Sequence, residues 1–453
     1  MSLSKLSKFN SKFFFNNKSH TTKKRKSSTK HKPLDTAFSH FYTITPPLLL
    51  YLLNYNDSST KRLIQNGFDN MTLLKSVSYT RIDYSELNKV YKIYLECLAR
   101  LKLDSPPHNI KYATEDMTRG LSKFISRRYQ SHLPTTEITN AFVKLWECMA
   151  QFDEVIPQNT KNTKFNVFHI CEAPGQMILA CKYFTEQKRK HITSYNWYAN
   201  SLNPFNKDVK VKYGNVFNDK YGLMKRNPDK WLWGADDTGD ITNTDNIQWF
   251  RQKIQSDMPD INIIIGDGGL GAGNNPIILQ RLDLAQVVMV LACSRKGGSC
   301  VIKHFTPYMV NHPETKNAIG FFISFIYLYY IAFEQVSLFK PYSSDMTSGE
   351  FYVIGTGFKG IDIQYLDKLY DVLDRFKLNN SLFDADVIPQ TFIIQITTFI
   401  NLMATENIKG YKKLNLLMQT KHTPVSRILL NDDKIEEILI PRYNTWINIY
   451  KFQ

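Results

Sequence analysis

Two strand-like segments of this chain end in a charged residue, and this placement constrains the fold more than any other feature. The segment 261–266 is mostly apolar and is followed by Asp267 and two glycines. The segment 297–302 leads in the same way to Lys303. Charged side chains are rarely buried unless they are paired. Apolar strands that end in charges are typical of the carboxyl edge of a parallel sheet, where α/β proteins bind their ligands.

Strand-like and helical segments alternate from about residue 136 to residue 358. This alternation predicts an α/β fold with a parallel or mixed sheet and helices on both faces. The predicted helices are 136–152, capped by Thr135 or Thr136, and 176–187, 276–296 and 314–333. The predicted strands are 166–171, 191–196, 261–266, 299–302, 335–339 and 351–356.

The regions on either side of this α/β part have helical patterns. Residues 84–103 carry apolar side chains at helical spacing, and so does the stripe from Leu366 to Phe376. The expected division is a disordered basic tail at 1–35, a helical N-terminal region at 36–135, an α/β domain at 136–360 and a helical C-terminal extension at 361–453.

The positive charge of the chain is concentrated at its start. Residues 1–34 contain nine lysines, Arg25 and no acidic residue, so they hold +10 of the formal net charge of +16. A solvated, disordered tail is one interpretation. An RNA-contacting arm and a nuclear-localisation patch at 23–26 are the others. An excess of this size favours polyanionic partners such as nucleic acid.

Cysteine and histidine usage points away from disulfides and metal sites. The six cysteines are scattered without a C-x-x-C pair, and the ten histidines form no H-x-x-x-H pattern. We therefore expect a reducing compartment and no metal. The longest apolar run, Ala318 to Phe333, is shorter than the roughly 20 residues that span a bilayer. It predicts a buried helix in a soluble protein.

Two further segments have the composition of ligand-binding loops. The first predicted strand runs into C-E-A-P-G-Q-M at 171–177, and a strand, a tight turn and a helix in this order are typical of nucleotide-like ligands. Gly175 would let the backbone approach such a ligand. The segment 233–242 is rich in acids and glycine. It predicts either a ligand loop or a capped loop before a helix that starts at Asn243 or Thr244.

Six short motifs follow one another along the α/β part of the chain. They are E-A-P-G at 172–175, T-G-D-I-T at 238–242, G-D-G-G at 266–269, V-I-K at 301–303, F-K-P at 339–341 and S-G-E-F-Y-V at 348–353. Together they resemble the motifs of the FtsJ-like ribose 2′-O-methyltransferases, and within them those of the mRNA cap-1 methyltransferases. The resemblance covers about residues 136–360 and implies a Rossmann-like sheet that binds S-adenosylmethionine (SAM). C-E-A-P-G and the W-Y-A-N-S-L-N-P segment at 197–204 resemble the branch found in large DNA viruses of eukaryotes.

The resemblance also implies which residues bind the cofactor. Asp240 and Ile241 would flank the adenosine, and Asp267 would border the cofactor. This chain departs from the family at one position, because the usual P-G-G is P-G-Q at 174–176. The departure bears on cofactor affinity. The residues that would line the methionine end are Cys171, Glu172, Ala173, Pro174, Gly175, Gln176 and Met177.

A catalytic Lys-Asp-Lys-Glu tetrad is the second implication. Asp267, Lys303 and Glu350 match it clearly, and Lys144 fits the first lysine better than Lys123 does. Lys303 would accept the proton of a ribose 2′-hydroxyl, its pKa lowered by Lys144 and by a cationic sulfonium. The two acids would orient the lysines.

Each residue of the tetrad also has an ordinary structural interpretation. Asp267 can cap the turn that follows it, and Lys303 can extend from a strand end to water. Glu350 can be an exposed residue before an edge strand.

The expected activity is methylation of the first transcribed nucleotide of capped mRNA. Methylation of ribosomal or other RNA, and a catalytically silent RNA- or cap-binding subunit, are the alternatives. The missing glycine fingerprint disfavours a nicotinamide-dependent oxidoreductase. Partners would be RNA and proteins of a capping or transcription machinery. We expect a cytoplasmic protein (host cytoplasm or virion), with the nucleus left open by the basic tail. Phosphate contacts are expected from Lys207, Lys210, Lys212, Arg281, Lys303 and Lys340.

Overall fold

A computed structural model describes most of the chain after the basic tail. The tail at 1–35 and the patch at 23–26 lie outside the described residues. The described residues are 51–54, 67–75, 77, 79, 82–103, 118–158, 163–213, 219–269, 276–307, 318–419 and 432–452.

The described strands form one mixed sheet of eight strands in the order β1-β7-β8-β6-β5-β2-β3-β4. The five strands from β4 to β6 are parallel, whereas β8 is antiparallel to both of its neighbours. The strands are β1 (Tyr51–Asn54), β2 (Lys164–Ile170), β3 (Ser194–Asn200), β4 (Trp231–Leu232), β5 (Ile263–Gly266), β6 (Ser299–Phe305), β7 (Phe333–Phe339) and β8 (Glu350–Phe358).

Helices cover both faces of this sheet. The helices of the described part are α1 (Ser85–Arg100), α2 (Thr118–Arg128), α3 (Asn140–Gln151), α4 (Gln176–Lys188), α5 (Lys207–Tyr213), α6 (Leu223–Arg226), α7 (Thr244–Asp257), α8 (Pro276–Cys293), α9 (Ala318–Ala332), α10 (Ile363–Arg375), α11 (Gln390–Gln419) and α12 (Asp432–Ile449). α7 to α10 pack together on one face, α3 packs on α4, and α1 packs on α11. The predicted α/β architecture is confirmed.

Most predicted elements are confirmed, and the ends of several were wrong. β3 runs to Asn200 rather than to 196, because its last residues pair with both β2 and β4. α3 starts at Asn140, so the predicted cap at Thr135 or Thr136 was wrong. The backbone of Thr139 is extended, and its N–H bonds a side chain of α4 instead of a turn of α3. The predicted start of α7 is confirmed, since the Asn243 side chain accepts from Asp245 N.

α9 confirms that the longest apolar run is a buried helix. Every residue of α9 is buried. A helix that is apolar on all sides belongs in a core or in a membrane. No helix in the described part of the chain has the length and apolarity that crossing a membrane requires.

A buried carboxylate joins the C-terminal helix to the sheet edge. Glu147, on α3, is fully buried and accepts from the backbone N–H groups of Tyr342 (2.6 Å) and Ser343 (2.8 Å) and from Trp446 Nε1 (2.7 Å). Burial raises the pKa of Glu147 to about 7, and the hydrogen bonds oppose this rise. Glu147 therefore connects α3, α12 and the segment between β7 and β8.

We expect Glu147→Ala to lower the free energy of unfolding by about 3 kcal/mol or more, because three buried N–H donors would lose their acceptor. Chemical denaturation followed by circular dichroism measures this change. Glu154→Ala removes an exposed carboxylate from the turn after α3 and is the matched control, expected to change stability by less than about 0.5 kcal/mol. Equal effects of the two substitutions would contradict the anchoring role of Glu147.

Candidate active site

The chain adds β3 and β4 on one side of β2 and then adds β5 on the other side, so the strand order changes direction between β2 and β5. The candidate site lies at this point of the sheet. Ligands of open α/β sheets bind at the carboxyl ends of the strands at such a point. The ends of β2 and β5 are held together here, since Asp267 N donates to Ile170 O over 3.3 Å.

The turn after β2 has a backbone that only certain residues can adopt. Cys171 has a φ of 56°, the Ala173–Pro174 peptide is cis, and Gly175 has a φ of 108°. A Cβ at Gly175 would lie 2.3 Å from Leu223 Cδ1. Gly175 is therefore required by the turn and by its packing on α6. This is a different reason from the close approach to a ligand that the sequence suggested.

Glu172 stabilises this turn from within. Its Oε1 accepts from the backbone N–H groups of Met177 (2.7 Å) and Ile178 (3.1 Å), at the start of α4. Its own backbone N–H donates to Asn200 O at the end of β3. Burial, reinforced by the charge of Asp267, raises the pKa of Glu172 well above its usual value. Glu172 and Met177, both expected to line the cofactor, are thus parts of the helix cap, and both are buried.

Gln176, which replaces a glycine of the family pattern, forms a link between two helices. It is the first residue of α4, and its Oε1 accepts from Thr139 N, the residue before α3, over 2.8 Å. The side chain is buried and points towards α3. The turn at 171–177 is therefore tied to the helix that carries Lys144.

The end of β4 leads into the loop that contains Asp240 and Ile241. Asp240 Oδ2 is 2.5 Å from the hydroxyl of Tyr213 and 3.1 Å from Lys212 Nζ, while its Oδ1 accepts from the backbone and the hydroxyl of Thr242. Burial raises the pKa of Asp240, but these partners outweigh burial and the pKa is lowered. Ile241 is part of the hydrophobic core. Both residues lie in the loop after β4, at the carboxyl edge of the sheet, and the Asp240 carboxylate is already well supplied with donors.

Asn200, the last residue of β3, offers a hydrogen-bond acceptor at this edge of the sheet. Its Nδ2 donates to the carbonyl groups of Leu232 and Gly239, at the start and end of the loop after β4. Its Oδ1 is buried and has no hydrogen-bond partner within the described part of the chain. A buried acceptor of this kind calls for a donor. A bound molecule with amine and hydroxyl groups, such as SAM, would supply one, so the residues present fit this cofactor.

Two ion pairs lie at the same edge of the sheet. Lys303 Nζ is 2.7 Å from Asp267 Oδ1, and Lys144 Nζ is 2.5 Å from Glu350 Oε1. Glu350 is the first residue of β8 and pairs in register with Phe305, two residues beyond Lys303. Because β8 is antiparallel, its beginning lies where the parallel strands end. The structure thus brings together the four residues that the sequence singled out.

The electrostatics join the two pairs into one cluster. Burial raises the pKa of Glu350, but the Lys144 and Lys303 ammonium groups outweigh burial and hold the pKa at about 2. Burial lowers the pKa of Lys303, but Asp267 and then Glu350 outweigh burial and raise it. The sequence-based expectation of a lowered pKa at Lys303 concerned the complex with SAM and substrate, and it stays a prediction. Each lysine lies within 2.7 Å of a carboxylate oxygen.

The positions of these side chains decide between two pairs of alternative interpretations and test one expected phosphate contact. Glu350 is buried, and β8 lies inside the sheet, so Glu350 is not an exposed residue beside an edge strand. Lys123 is exposed on α2, whereas Lys144 contacts Glu350. Lys340 is buried, which rules out the phosphate contact expected of it.

A buried glutamine that sequence reasoning missed supports the cluster. Gln286 Oε1 accepts from Gly268 N (3.1 Å), and Gln286 Nε2 donates to Lys303 O (3.1 Å). One side chain of α8 therefore links the backbone just after β5, next to Asp267, to the backbone of Lys303 in β6. A signal was present in the sequence, since Gln280, Asp283 and Gln286 recur every three residues in a helix whose other residues, apart from Arg281, are apolar.

Comparisons with known proteins agree with this geometry. The family model described as FtsJ-like methyltransferase matches residues 138–358.

These residues form an FtsJ-like methyltransferase domain.

Such a domain uses a methyl donor of the SAM type.

The division of the chain into 1–35, 36–135, 136–360 and 361–453 stays a prediction.

Several proteins are similar over part of their length. Uncharacterized protein L511 of Acanthamoeba polyphaga mimivirus is 29% identical over 342 residues, which is 74% of this chain and 39% of that protein. Probable methyltransferase EP424R of African swine fever virus (isolate Pig/Kenya/KEN-50/1950) is 29% identical over 252 residues, 53% of each chain. Cap-specific mRNA (nucleoside-2′-O-)-methyltransferase 2 of Pongo abelii is 28% identical over 269 residues, 56% of this chain and 32% of that protein. The chain thus spans about a third to a half of these relatives.

We expect Asn200→Ala to weaken SAM binding by the FtsJ-like domain about fivefold, because one buried hydrogen bond is worth about 1 kcal/mol. Isothermal titration calorimetry measures the dissociation constant. Asn196→Ala, at the exposed opposite end of the same strand, is the control and should leave the constant within about twofold. Unchanged SAM binding in Asn200→Ala would show that the free acceptor does not face the cofactor.

Proposed function

We propose that this chain transfers a methyl group from SAM to the 2′-hydroxyl of the first transcribed nucleotide of capped mRNA. The observation that carries the proposal is the pair of ion pairs, Lys303–Asp267 and Lys144–Glu350, at the carboxyl edge beside the turn at 171–177. The similarity to proteins named as cap-specific mRNA nucleoside-2′-O-methyltransferases supports the choice of substrate. Residues 171–177, Asn200, Asp240, Ile241 and Asp267 would hold the cofactor.

The chemistry requires that a weak nucleophile be made stronger. A ribose hydroxyl reacts slowly at neutral pH unless a base accepts its proton or positive charge stabilises the developing oxyanion. When bound, SAM supplies a methyl group on a cationic sulfonium. Lys303 would accept the proton from the 2′-oxygen, and Lys144 would stabilise the negative charge that develops there. Asp267 and Glu350 would hold the two ammonium groups in position.

The pairing of Lys303 with Asp267 means that the free protein holds this lysine in its charged form. An added positive charge and the exclusion of water both lower the pKa of an ammonium group. We infer that Lys303 becomes a base only in the complete complex. A base that forms only when both substrates are bound would also limit unproductive reactions with water.

RNA contacts fit the surface beside the site. Lys207 and Lys210 are exposed on α5, near the Asp240 loop, while Lys212 is paired with Asp240. Phe305 is partly exposed, and its ring lies 5.8 Å from Lys303 Nζ. A nucleobase can stack on a partly exposed aromatic ring of this kind. The pocket next to Phe305 is lined by Leu279, Gln280, Asp283, Phe305, Thr306, Pro307, Ala318, Phe321, Phe322 and Phe325.

The test of this proposal uses labelled SAM and RNAs of one sequence. We expect label on capped RNA, no label on RNA with a 5′-triphosphate, and no label on capped RNA with deoxyribose at the first transcribed nucleotide. Equal labelling with and without a cap would favour a general RNA ribose methyltransferase. Label on the deoxyribose RNA would move the target to another nucleotide. SAM and RNA binding without transfer would favour a silent subunit.

Variants in the same assay test the assigned residues. Lys303→Met and Lys144→Met should each lower kcat at least about a hundredfold while SAM binding is kept. Lys123→Met is the matched control and should stay within about twofold of the unmodified chain. A loss of activity in Lys123→Met instead of Lys144→Met would reverse the assignment of the first lysine.

We expect Asp267→Asn to move the pH dependence of kcat to lower pH. The Asp267 carboxylate favours the protonated form of Lys303, so its removal lowers the pKa of that lysine. The rise of kcat with pH should therefore reach its midpoint at a lower pH, with a smaller maximum because orientation is lost. Asp257→Asn, which breaks the 2.8 Å surface pair with Lys253, should leave the profile in place. A midpoint that stays constant or rises in Asp267→Asn is the outcome that rejects Lys303 as the base.

A further inference from the structure

A third lysine lies buried behind the cluster and uses all of its donors. Lys340 follows β7, and its Nζ donates to Ser344 Oγ (3.2 Å), Ser348 O (2.8 Å) and Glu350 O (3.1 Å). An ammonium group has three N–H donors. Burial lowers the pKa of Lys340 to about 8, against opposition from the Glu350 and Asp345 carboxylates. A buried charge with three well-placed acceptors indicates a specific role rather than a chance position.

The contacts of Lys340 lead to the catalytic carboxylate in two steps. Ser344 Oγ accepts from Lys340 and donates to Glu350 Oε1 over 3.0 Å. The same Oε1 lies 2.5 Å from Lys144 Nζ. The chain of contacts therefore runs from Lys340 through Ser344 and Glu350 to Lys144. Because the hydroxyl of Ser344 has a single proton, its acceptance from Lys340 directs that proton towards Glu350.

The backbone of Glu350 is fixed by the same ammonium group. Lys340 donates to the carbonyl of Glu350 and to that of Ser348, on either side of Gly349. Asn407, on α11, donates to Ser348 O from the other direction over 3.1 Å. The backbone that leads to Glu350 is thus held both by Lys340, which follows β7, and by Asn407 of α11. Of these two side chains, Lys340 also contacts the Glu350 carboxylate indirectly, through the hydroxyl of Ser344.

We propose that Lys340 is a positioning residue, which sets the Glu350 carboxylate through Ser344 so that it holds Lys144 at the reacting oxygen. Lys340 does not touch substrate or cofactor, and its effect passes through Glu350. The readout in kcat rests on the proposed function, whereas the position of Glu350 can be measured without it. A misplacement of about 1 Å at a catalytic group lowers rates by about a hundredfold.

The test compares Lys340→Met, Ser344→Ala and the double variant in the full chain. We expect kcat to fall about ten- to a hundredfold in Lys340→Met and about tenfold in Ser344→Ala. KM for both substrates and the dissociation constant of SAM should stay within about twofold. The double variant should be no slower than Lys340→Met, because both changes break one chain of contacts. Effects that multiply in the double variant would overturn the proposal.

Lys359→Met is the control for loss of a partly buried ammonium group far from the site. Burial also lowers the pKa of Lys359 to about 8, and its Nζ donates to a backbone carbonyl, that of Ile331 (3.3 Å). Lys359 follows the far end of β8, roughly 30 Å from Glu350 at about 3.3 Å per residue. We expect Lys359→Met to change stability but not kcat. A fall in kcat equal to that of Lys340→Met would mean that general destabilisation explains both.

A crystal structure separates this inference from the proposed activity. In Lys340→Met and Ser344→Ala we expect the Glu350 carboxylate to move by about 1 Å or more away from Lys144, whatever the activity of the unmodified chain. An unmoved carboxylate would overturn the positioning role, even if the chain methylates capped RNA. If Lys340→Met does not fold, Ser344→Ala alone decides the question, since it removes a single hydroxyl. An unmodified chain that methylates no RNA, with a displaced carboxylate in the variants, would refute only the proposed function.

Discussion

The site depends on the pairing of opposite charges at a buried sheet edge. Lys144 and Lys303 lose much of their hydration there, and each is compensated by a carboxylate within 2.7 Å. Removing one partner of such a pair leaves an uncompensated charge and is far more costly than exchanging both. The four residues are therefore interdependent in stability as well as in chemistry. The surrounding hydrogen bonds from Gln286 and Ser344 can be understood as the support that this arrangement needs.

The segment between β7 and β8 is where the helical regions reach this edge. Glu147, on α3, accepts from its backbone near the start, and Asn407, on α11, donates to carbonyl groups near its end. A Cβ at Gly410 would lie 3.0 Å from Thr347 Cγ2, so α11 approaches this segment closely. α11 and α12 lie outside the residues that match the family model. These helices outside the matched residues thus help to hold the segment that leads to Glu350.

Sequence patterns were sufficient to predict the sheet and to select the four charged residues that meet at its edge, and the reason is physical. β5 is apolar up to Gly266 and is followed by Asp267, and β6 is apolar from Cys300 to Ile302 before Lys303. The first charged residue after each apolar run therefore marks the site. The order of the motifs along the chain then identified Lys144 and Glu350, which periodicity alone would have left ambiguous.

The sequence contains no comparable pattern that predicts long-range hydrogen bonds. The bond from Thr139 N to Gln176 joins residues 37 positions apart, and it moved the start of α3 away from the predicted cap. The burial of Lys340 was missed for the same reason, because two of its three acceptors lie in the segment between β7 and β8, and the third belongs to the first residue of β8. The raised pKa of Lys303 follows from a 2.7 Å contact that no spacing in the sequence encodes.

The antiparallel direction of β8 has a consequence for how this protein can vary. Glu350 opens the strand, and its side chain reaches the cluster only while Phe305 remains its partner across the ladder. A slip of one position along that ladder would turn the carboxylate to the opposite face of the sheet. An insertion in the preceding segment would have to leave this alignment of β8 against β6 unchanged. It would also have to keep the contacts that Glu147, Lys340 and Asn407 make to that segment.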